Sequence, residues 1–427
     1  MFWHSAGQGN VTLTGAEVKE FGEIIRELMK DDSTFNDFTM QELEGLAQDS
    51  MLQILKRSPS QRRDEIDKQI LVLRGRLRGE VRSETFVIPI ANLKLEWRQL
   101  KIGNVKLFQF TDKHVKRWES IIFDASSRYT VEQRKKQGEY IRKNVLEKLR
   151  GIICAEVEVK GKHRRALEVA LQETRNALSA LMTFFPEDIR KPPIGIQGEV
   201  LPVATEASHR FILSRSSDAS THLNSEFVGS LYELELDKER VEWMLKHGLR
   251  NISRLLATRK MNSLESRLKT AIYWFGSAMN VPITRSQEEM DVRISLARKR
   301  KTRGEKGFEN FEFPEIAERL FKLMMALESL VILDDREQIV VNLAERTAFL
   351  IAEKLSDRIY VNHRIKELYR LRSRVIHHGR IEITYSELHW LCYVVQAAIL
   401  RLVIDGKRLG ITNDDKFRNW LVTKKFS

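Results

Sequence analysis

The clearest candidates for chemistry in this chain are an arginine and a histidine near the end of one helical segment, KELYRLRSRVIHHG, residues 366–379. Arg372 and His377 stand five positions apart in it. Arginine binds phosphate oxygens through a planar, permanently charged fork, and histidine exchanges protons near neutral pH. Cleavage of RNA without a metal needs both properties, because a proton must move and negative charge develops on the phosphate. These residue types therefore fit RNA scission.

Arg372 also breaks the apolar pattern of its helix. At about 100° per residue, Arg372 falls inside the apolar arc of this segment, where a charge is costly unless it is matched. The arc consists of Ile365, Leu368, Val375 and Ile376. Two interpretations stay open. Either a carboxylate on a facing helix pairs with Arg372, for which Glu328 is the candidate, or the arc faces a partner subunit or cleft that binds an anion.

The spacing of the two residues limits how they meet. About 140° separates Arg372 from His377 around one helix. They converge only if the helix frays or if two copies of the chain pair, and a twofold dimer would bring both motifs to one composite groove. The end of a helix also favours the charged imidazolium form of the histidine.

A basic segment, RISLARKRKTRGEKG at residues 293–307, lies between two predicted helices. Lysines and arginines in a loop can neutralise phosphates without reading sequence. The equally acceptable interpretation is a solvated loop that binds nothing. The residues predicted to contact RNA are Arg298, Lys299, Arg300, Lys301 and Arg303.

The composition narrows the class of protein. A formal net charge of +13 over 427 residues favours polyanionic partners such as nucleic acid or an anionic membrane. The only two cysteines, Cys154 and Cys392, are far apart in apolar surroundings, so neither a disulfide framework nor a metal site is expected. No nucleotide-binding glycine motif, no cofactor motif and no helix-turn-helix with a short glycine turn is recognised.

The chain is expected to be cytoplasmic. Its start, MFWHSAGQGN, has no basic patch followed by an apolar run, as a signal peptide would have. The most apolar stretch, LHWLCYVVQAAILRLVI, is interrupted by Gln396 and Arg401. It therefore predicts a buried core helix and no membrane span.

The order of the elements predicts an α+β protein. Residues 1–215 form a mixed α/β region, with three helical pieces over 11–81 and several strands after residue 84, and 216–231 is a polar linker. Residues 232–427 are read as an all-α bundle with a C-terminal tail. Ser263 is expected to cap one helix and Pro314 to open the next. Gly379 and Gly406 are expected where helices stop.

Arg372-Ser373, three further residues and His377 resemble the R-polar-x3-H form of the R-x4-6-H motif of HEPN domains. The segment YRLRSRVIHHG resembles that of the ApeA-like HEPN branch, found in antiviral proteins of bacteria, and so do ALESL and RLKTAIYWFG upstream. The resemblance covers about residues 232–405. His378 gives an equally valid R-x5-H spacing, so either histidine fits.

The resemblance implies a HEPN-like helical bundle that forms a homodimer and, in catalytic members, cleaves RNA without metal or cofactor. Arg372 and His377 would be the active pair, supported by Ser373 and His378. The attacking group would be water or the adjacent 2′-hydroxyl, and the latter leaves a 2′,3′-cyclic end. Residues 1–215 would sense a phage or regulatory trigger. Some members are inactive and act as scaffolds, so a non-catalytic interaction module is the alternative.

Overall fold

The fold was determined as a computed structural model. It describes residues 68–69, 72, 82–125, 130–185, 194–196, 209–215, 221–227, 234–281, 314–334, 338–378 and 383–426. The chain divides into two compact units: Met1–Phe86 with Val157–Gln172, and Val87–Glu156 with Glu173–Ser427. The first half is rich in strands and the second half is helical, which confirms the α+β class. The three helical pieces predicted over 11–81 lie almost wholly outside the described residues.

The described strands lie between residues 82 and 236, before the helical part of the chain. They are β1 (Arg82–Ala91), β2 (Leu93–Leu95), β3 (Leu100–Ile102), β4 (Val105–Gln109), β5 (Ile153–Gly161), β6 (Gly195–Ile196), β7 (His209–Arg215), β8 (Thr221–Phe227) and β9 (Leu234–Leu236). A five-stranded sheet has the order β3-β4-β5-β1-β6, while β2 pairs with β9 and β7 with β8.

Three of the described helices lie between strands, and the others follow β9. In the first half they are α1 (Asp112–Ala125), α2 (Val131–Ile141, continuing through a π-helical turn to Leu149) and α3 (His163–Met182). The later helices are α4 (Lys238–Met244), α5 (Arg250–Ala257), α6 (Ser263–Met279), α7 (Pro314–Val331), α8 (Ile339–Ile351), α9 (Leu355–His378), α10 (Tyr385–Asp405) and α11 (Asp414–Phe426).

The strand-rich residues of the second unit pack around an apolar cluster. It contains Phe108, Phe110, Val115, Leu146 and Cys154, all buried. These side chains come from β4 and the residue that follows it, from α1, from the end of α2 and from β5, so the two helices cover one face of the sheet. Burying one face of a sheet under helices is the usual way in which such strands are stabilised.

Residues of the strand-rich and helical halves meet within the second unit. β2 pairs in parallel with β9, and Leu93 lies opposite Leu234. The turn of the β3–β4 hairpin touches α5, where the Gly103 amide donates to Ser253 Oγ over 2.9 Å. Gly103 has φ +61°, and a Cβ there would lie 2.9 Å from Leu256 Cβ, so glycine is required on both counts.

The helical half is built on close helix contacts. α7 packs against both α6 and α10, and α8 packs against α9. The C-terminal part of α3 joins them, because a Cβ at Gly276 of α6 would clash with the Cα of Ser179. Thr183, after α3, accepts a hydrogen bond from Gln396 Nε2 of α10 over 2.8 Å. Small residues and polar contacts therefore fix how these helices cross.

One described helix, α10, is long and apolar enough to cross a membrane by length and composition. Many of its apolar side chains are buried, as predicted for a core helix. The buried residues include Leu388, Leu391, Cys392, Val395, Ala398, Ile399 and Leu402.

Several expectations about individual elements were incomplete. Thr221–Phe227, inside the predicted linker 216–231, is the strand β8, which pairs antiparallel with β7. The predicted tail contains α11, whose Phe417 is fully buried. Asn262, rather than Ser263, caps α6. Its side chain accepts a hydrogen bond from the Glu265 amide, and the Glu265 side chain accepts one from the Asn262 amide. The assignment of 1–215, 216–231 and 232–427 to separate domains stays a prediction.

Two predicted helix ends agree with the structure. Pro314 is the first residue of α7, where its missing N–H costs nothing. Gly406 is the C-cap of α10. Gly379 lies outside the described residues.

Candidate functional site around Arg372

Helix α9 places Arg372 at the border of the bundle core. Ile365, Leu368, Leu371 and Val375 of the same helix are buried, and α9 packs against α8 and α7. Arg372 extends from this apolar side, and its side chain is 22% exposed to solvent. The helical periodicity thus placed the residue correctly, on an arc that is mostly buried.

The guanidinium of Arg372 has two described partners. Its Nη1 donates a hydrogen bond to the Tyr369 hydroxyl over 3.1 Å, and its carbon lies 5.1 Å from the centre of that ring. Its Nη2 lies 3.7 Å from Oε1 of Glu328 on α7. The Glu328 side chain is 25% exposed, so the ion pair is half-buried. This is the pair that the structural interpretation of Arg372 expected.

The ion pair is electrostatic and incompletely hydrogen-bonded. A separation of 3.7 Å between nitrogen and oxygen is too long for a hydrogen bond. Among the residues that the structure describes, neither Arg372 Nε nor Glu328 Oε1 has a hydrogen-bond partner, although both atoms are buried. The Nε–H of this guanidinium therefore keeps a hydrogen bond that no described residue accepts.

Burial controls the protonation of both neighbours of Arg372. Burial raises the pKa of the Glu328 carboxyl, and the attraction of Arg372 offsets only part of that rise. The pKa of the Tyr369 hydroxyl is raised first by burial and then by the charge of Glu328, while Arg372 lowers it. A cation, a carboxyl and a phenol thus influence one another at the α7–α9 contact.

The structure accounts for some of the predicted site residues. Ser373 is partly buried beside Arg372. His377 and His378 are the last two residues of α9, and their side chains lie outside the description. Arg298, Lys299, Arg300, Lys301 and Arg303 also lie outside the described residues. The described contacts therefore bring Arg372 together with Glu328 and Tyr369.

Tyr369 is the site residue that the sequence analysis missed. It precedes Arg372 by three positions, and residues three apart on a helix are neighbours. A tyrosine three residues before an arginine in an apolar arc was therefore a usable signal. Glu328 was identified as a candidate from its place among apolar residues of α7.

A second charged group lies nearer the start of α9. Arg364 Nη1 is 2.7 Å from Glu367 Oε2, and its Nη2 is 3.4 Å from Glu387 Oε1 on α10. Glu387 also closes the capping box of α10 by accepting from the Thr384 amide. This group ties α9 to the start of α10, so we assign it a structural role.

No three His, Cys, Asp or Glu side chains in the described part of the chain come together in a way that could hold a metal ion.

Comparison of the chain with protein-family models, with curated proteins and with solved structures gives no match.

Proposed function

We propose that this protein is a metal-independent endoribonuclease of the HEPN type, acting in prokaryotic antiphage defence. The observation that carries the proposal is the state of Arg372. It is a permanent cation, 22% exposed, whose Nε has no partner among the described residues. It lies on the helix that ends with His377 and His378.

The proposed chemistry divides between these side chains. Arg372 would donate to the phosphate oxygens and balance the negative charge that develops as the 2′-hydroxyl or a water attacks phosphorus. His377 would act as general acid or base, with His378 as the alternative. Glu328 and Tyr369 would hold the guanidinium in one orientation, because each approaches a different Nη nitrogen.

A homodimer would unite the two halves of this site. The outer surface of α9 supports a dimer, because it carries three exposed apolar side chains at helical spacing. Leu355 is 71% exposed, Ile359 61% and Tyr360 54%. Apolar groups this exposed on one stretch of helix favour contact with another molecule. Within the dimer, the basic segment 298–303 would hold the RNA strand.

The remaining parts of the proposal follow from the resemblance to HEPN domains. Residues 1–215 would sense a phage or regulatory trigger and restrain the nuclease until it is needed. The protein would act in the cytoplasm, where its RNA substrates are.

The test measures RNA cleavage by the purified full chain in the presence of a metal chelator. We expect wild type to cut RNA, and Arg372→Ala and His377→Ala to lose at least about 100-fold in rate. Arg370→Ala and His363→Ala are matched controls, since Arg370 and His363 are exposed on the same helix. The controls should cut like wild type.

A second candidate is a non-catalytic helical interaction module, which the Arg372–Glu328 ion pair favours. In that case Arg372 only stabilises the fold. Circular dichroism and thermal melting of each variant separate the two. Loss of cleavage in folded variants supports the enzyme, whereas an unfolded Arg372→Ala and a wild type without cleavage support the module.

A further inference from the structure

Arg319 is a buried arginine that the proposed ribonuclease site does not use. It lies on α7 between the start of the helix at Pro314 and Glu328, and it is only 1% exposed. Leu320, the next residue, and Leu323, one helical turn further on, are fully buried as well. A guanidinium keeps its proton at neutral pH, so this position places a full positive charge inside the helical core.

The described partners of Arg319 do not balance its charge. Nη2 donates to the carbonyl of Val281, which is neutral. No described residue accepts a hydrogen bond from Nε or Nη1. The charge interacts with Cys392 and Tyr385 on α10, and neither is a carboxylate. Burial raises the pKa of the Cys392 thiol to about 11, so this thiol is neutral at pH 7.

A second polar group on α10 also has no described partner. His389 Nε2 is buried and makes no hydrogen bond to the residues that the structure describes. The His389 ring stacks against Tyr385, with 6.0 Å between the ring centres.

The two groups face the same side of α10. Tyr385, His389 and Cys392 occupy positions i, i+4 and i+7, which share one face of a helix. Arg319 interacts with the first and the last of the three. Arg319 and His389, each with nitrogen atoms that no described residue hydrogen-bonds, therefore both lie at this face of α10.

We propose that Arg319, together with the Tyr385–Cys392 face of α10, binds a small oxyanion, of which phosphate is the simplest example. An uncompensated charge in a core is strongly unfavourable, and an anion compensates it. Charge-assisted hydrogen bonds from a guanidinium to an oxyanion are among the strongest in proteins. His389 Nε2 can donate a further hydrogen bond in the tautomer that carries its proton there.

This site is separate from the proposed ribonuclease site. Arg319 and Glu328 are nine residues apart on α7, which corresponds to roughly 13 Å along a helix axis. The inference does not depend on RNA cleavage, and it assigns this part of the core a role in ligand binding.

The test is a titration of the purified full chain with inorganic phosphate at constant ionic strength, followed by calorimetry and by thermal melting. We expect one phosphate per chain and a melting temperature that rises with phosphate concentration. Arg319→Met should lose both effects. Methionine is apolar and of similar length, so the variant should fold. Arg319→Lys keeps the charge with fewer donors and should bind phosphate at least 10-fold more weakly.

Arg370→Met is the matched control, because Arg370 is exposed and belongs to neither proposed site. It should bind phosphate like wild type. Retained binding in Arg319→Met, or an equal loss of binding in Arg370→Met, would place the anion elsewhere and overturn the inference. A parallel titration with acetate distinguishes a carboxylate ligand from a phosphate. If wild type responds to neither anion, the inference is wrong, whatever the variants do.

Discussion

Arg372 of α9 and Glu328 of α7 face each other across two packed helices, with Nη2 and Oε1 3.7 Å apart. Each side chain is about three-quarters buried, and each retains a buried polar atom without a hydrogen bond to a described residue. Burial raises the pKa of Glu328 despite the cation beside it. Arg372 therefore offsets part of the cost of burying the Glu328 carboxylate.

Arg372→Met should destabilise the fold at neutral pH. The Glu328 carboxylate would lose the cation that offsets its burial, and we expect a loss of about 2 kcal/mol in the free energy of unfolding at pH 7. This loss should be smaller at a pH below 4.5, the ordinary pKa of a glutamate side chain, because the carboxyl is then protonated. Urea denaturation at pH 4 and pH 7 measures both values.

Arg370→Met is the control for that measurement, since Arg370 is exposed on the same helix. It should change stability by less than about 0.5 kcal/mol. An equal loss for Arg372→Met at both pH values would mean that packing, and not the charge of Glu328, is responsible.

Glu328→Gln should behave in the opposite way. A carboxyl whose pKa is higher in the folded than in the unfolded chain stabilises the fold when protonated. That stabilising contribution is complete below about pH 4.5, and it is lost as the pH rises through the pKa of Glu328 in the folded chain. Glutamine resembles the protonated form, so the variant should equal wild type at low pH and match or exceed it, by up to about 1 kcal/mol, at pH 7. A variant clearly less stable than wild type at pH 7 contradicts this account.

Gly276→Ala should destabilise the crossing of α3 and α6. The added Cβ would collide with backbone at Ser179, which cannot rotate away as a side chain could. We expect a cost of about 3 kcal/mol in the free energy of unfolding. Gly138→Ala in α2 is the control, because a Cβ there meets nothing within 4 Å. It should be neutral or stabilising by up to about 1 kcal/mol, since alanine favours helix.

Phe417→Ala should show that α11 belongs to the folded core. The Phe417 side chain is fully buried, and its truncation should cost about 3 to 4 kcal/mol in denaturant unfolding. Phe426, in the same helix, is 84% exposed, so Phe426→Ala should change stability by less than about 0.5 kcal/mol. Similar small effects for both variants would indicate that α11 does not pack in solution.

Ile359→Glu should disrupt the proposed homodimer without unfolding the chain. Ile359 is 61% exposed on α9, so a charge there is tolerated in a monomer and is unfavourable in an apolar interface. Light scattering should show a dimer for wild type and a monomer for the variant. The variant should also cleave RNA more slowly, because it no longer forms the dimer. Val422→Glu, which changes another exposed apolar residue, is the control and should remain dimeric. A monomeric wild type contradicts the dimer.

Elements with a strong periodic pattern were largely predictable. The long helices α6 to α10 were recognised because their apolar residues recur at helical spacing over many turns. α1 and α11 were missed: both are rich in charge, and only a few of their apolar residues are buried, such as Val115 and Phe417. The strand β8 was missed because its sequence, THLNSEF, is polar, and strand formation there depends on pairing with β7.

The sequence by itself determined that the chain is α+β, that its second half is helical, and that Arg372 lies on a mostly buried arc, because periodicity records which face of a helix is buried. The sequence offered Glu328 only as one candidate partner, and the tertiary structure decided which groups meet that charge. Glu328 lies 44 positions before Arg372 in the chain, and only the packing of α7 against α9 brings the two together. The same holds for Arg319, because only helix packing shows that Cys392 and Tyr385, neither of which is a carboxylate, lie near its charge.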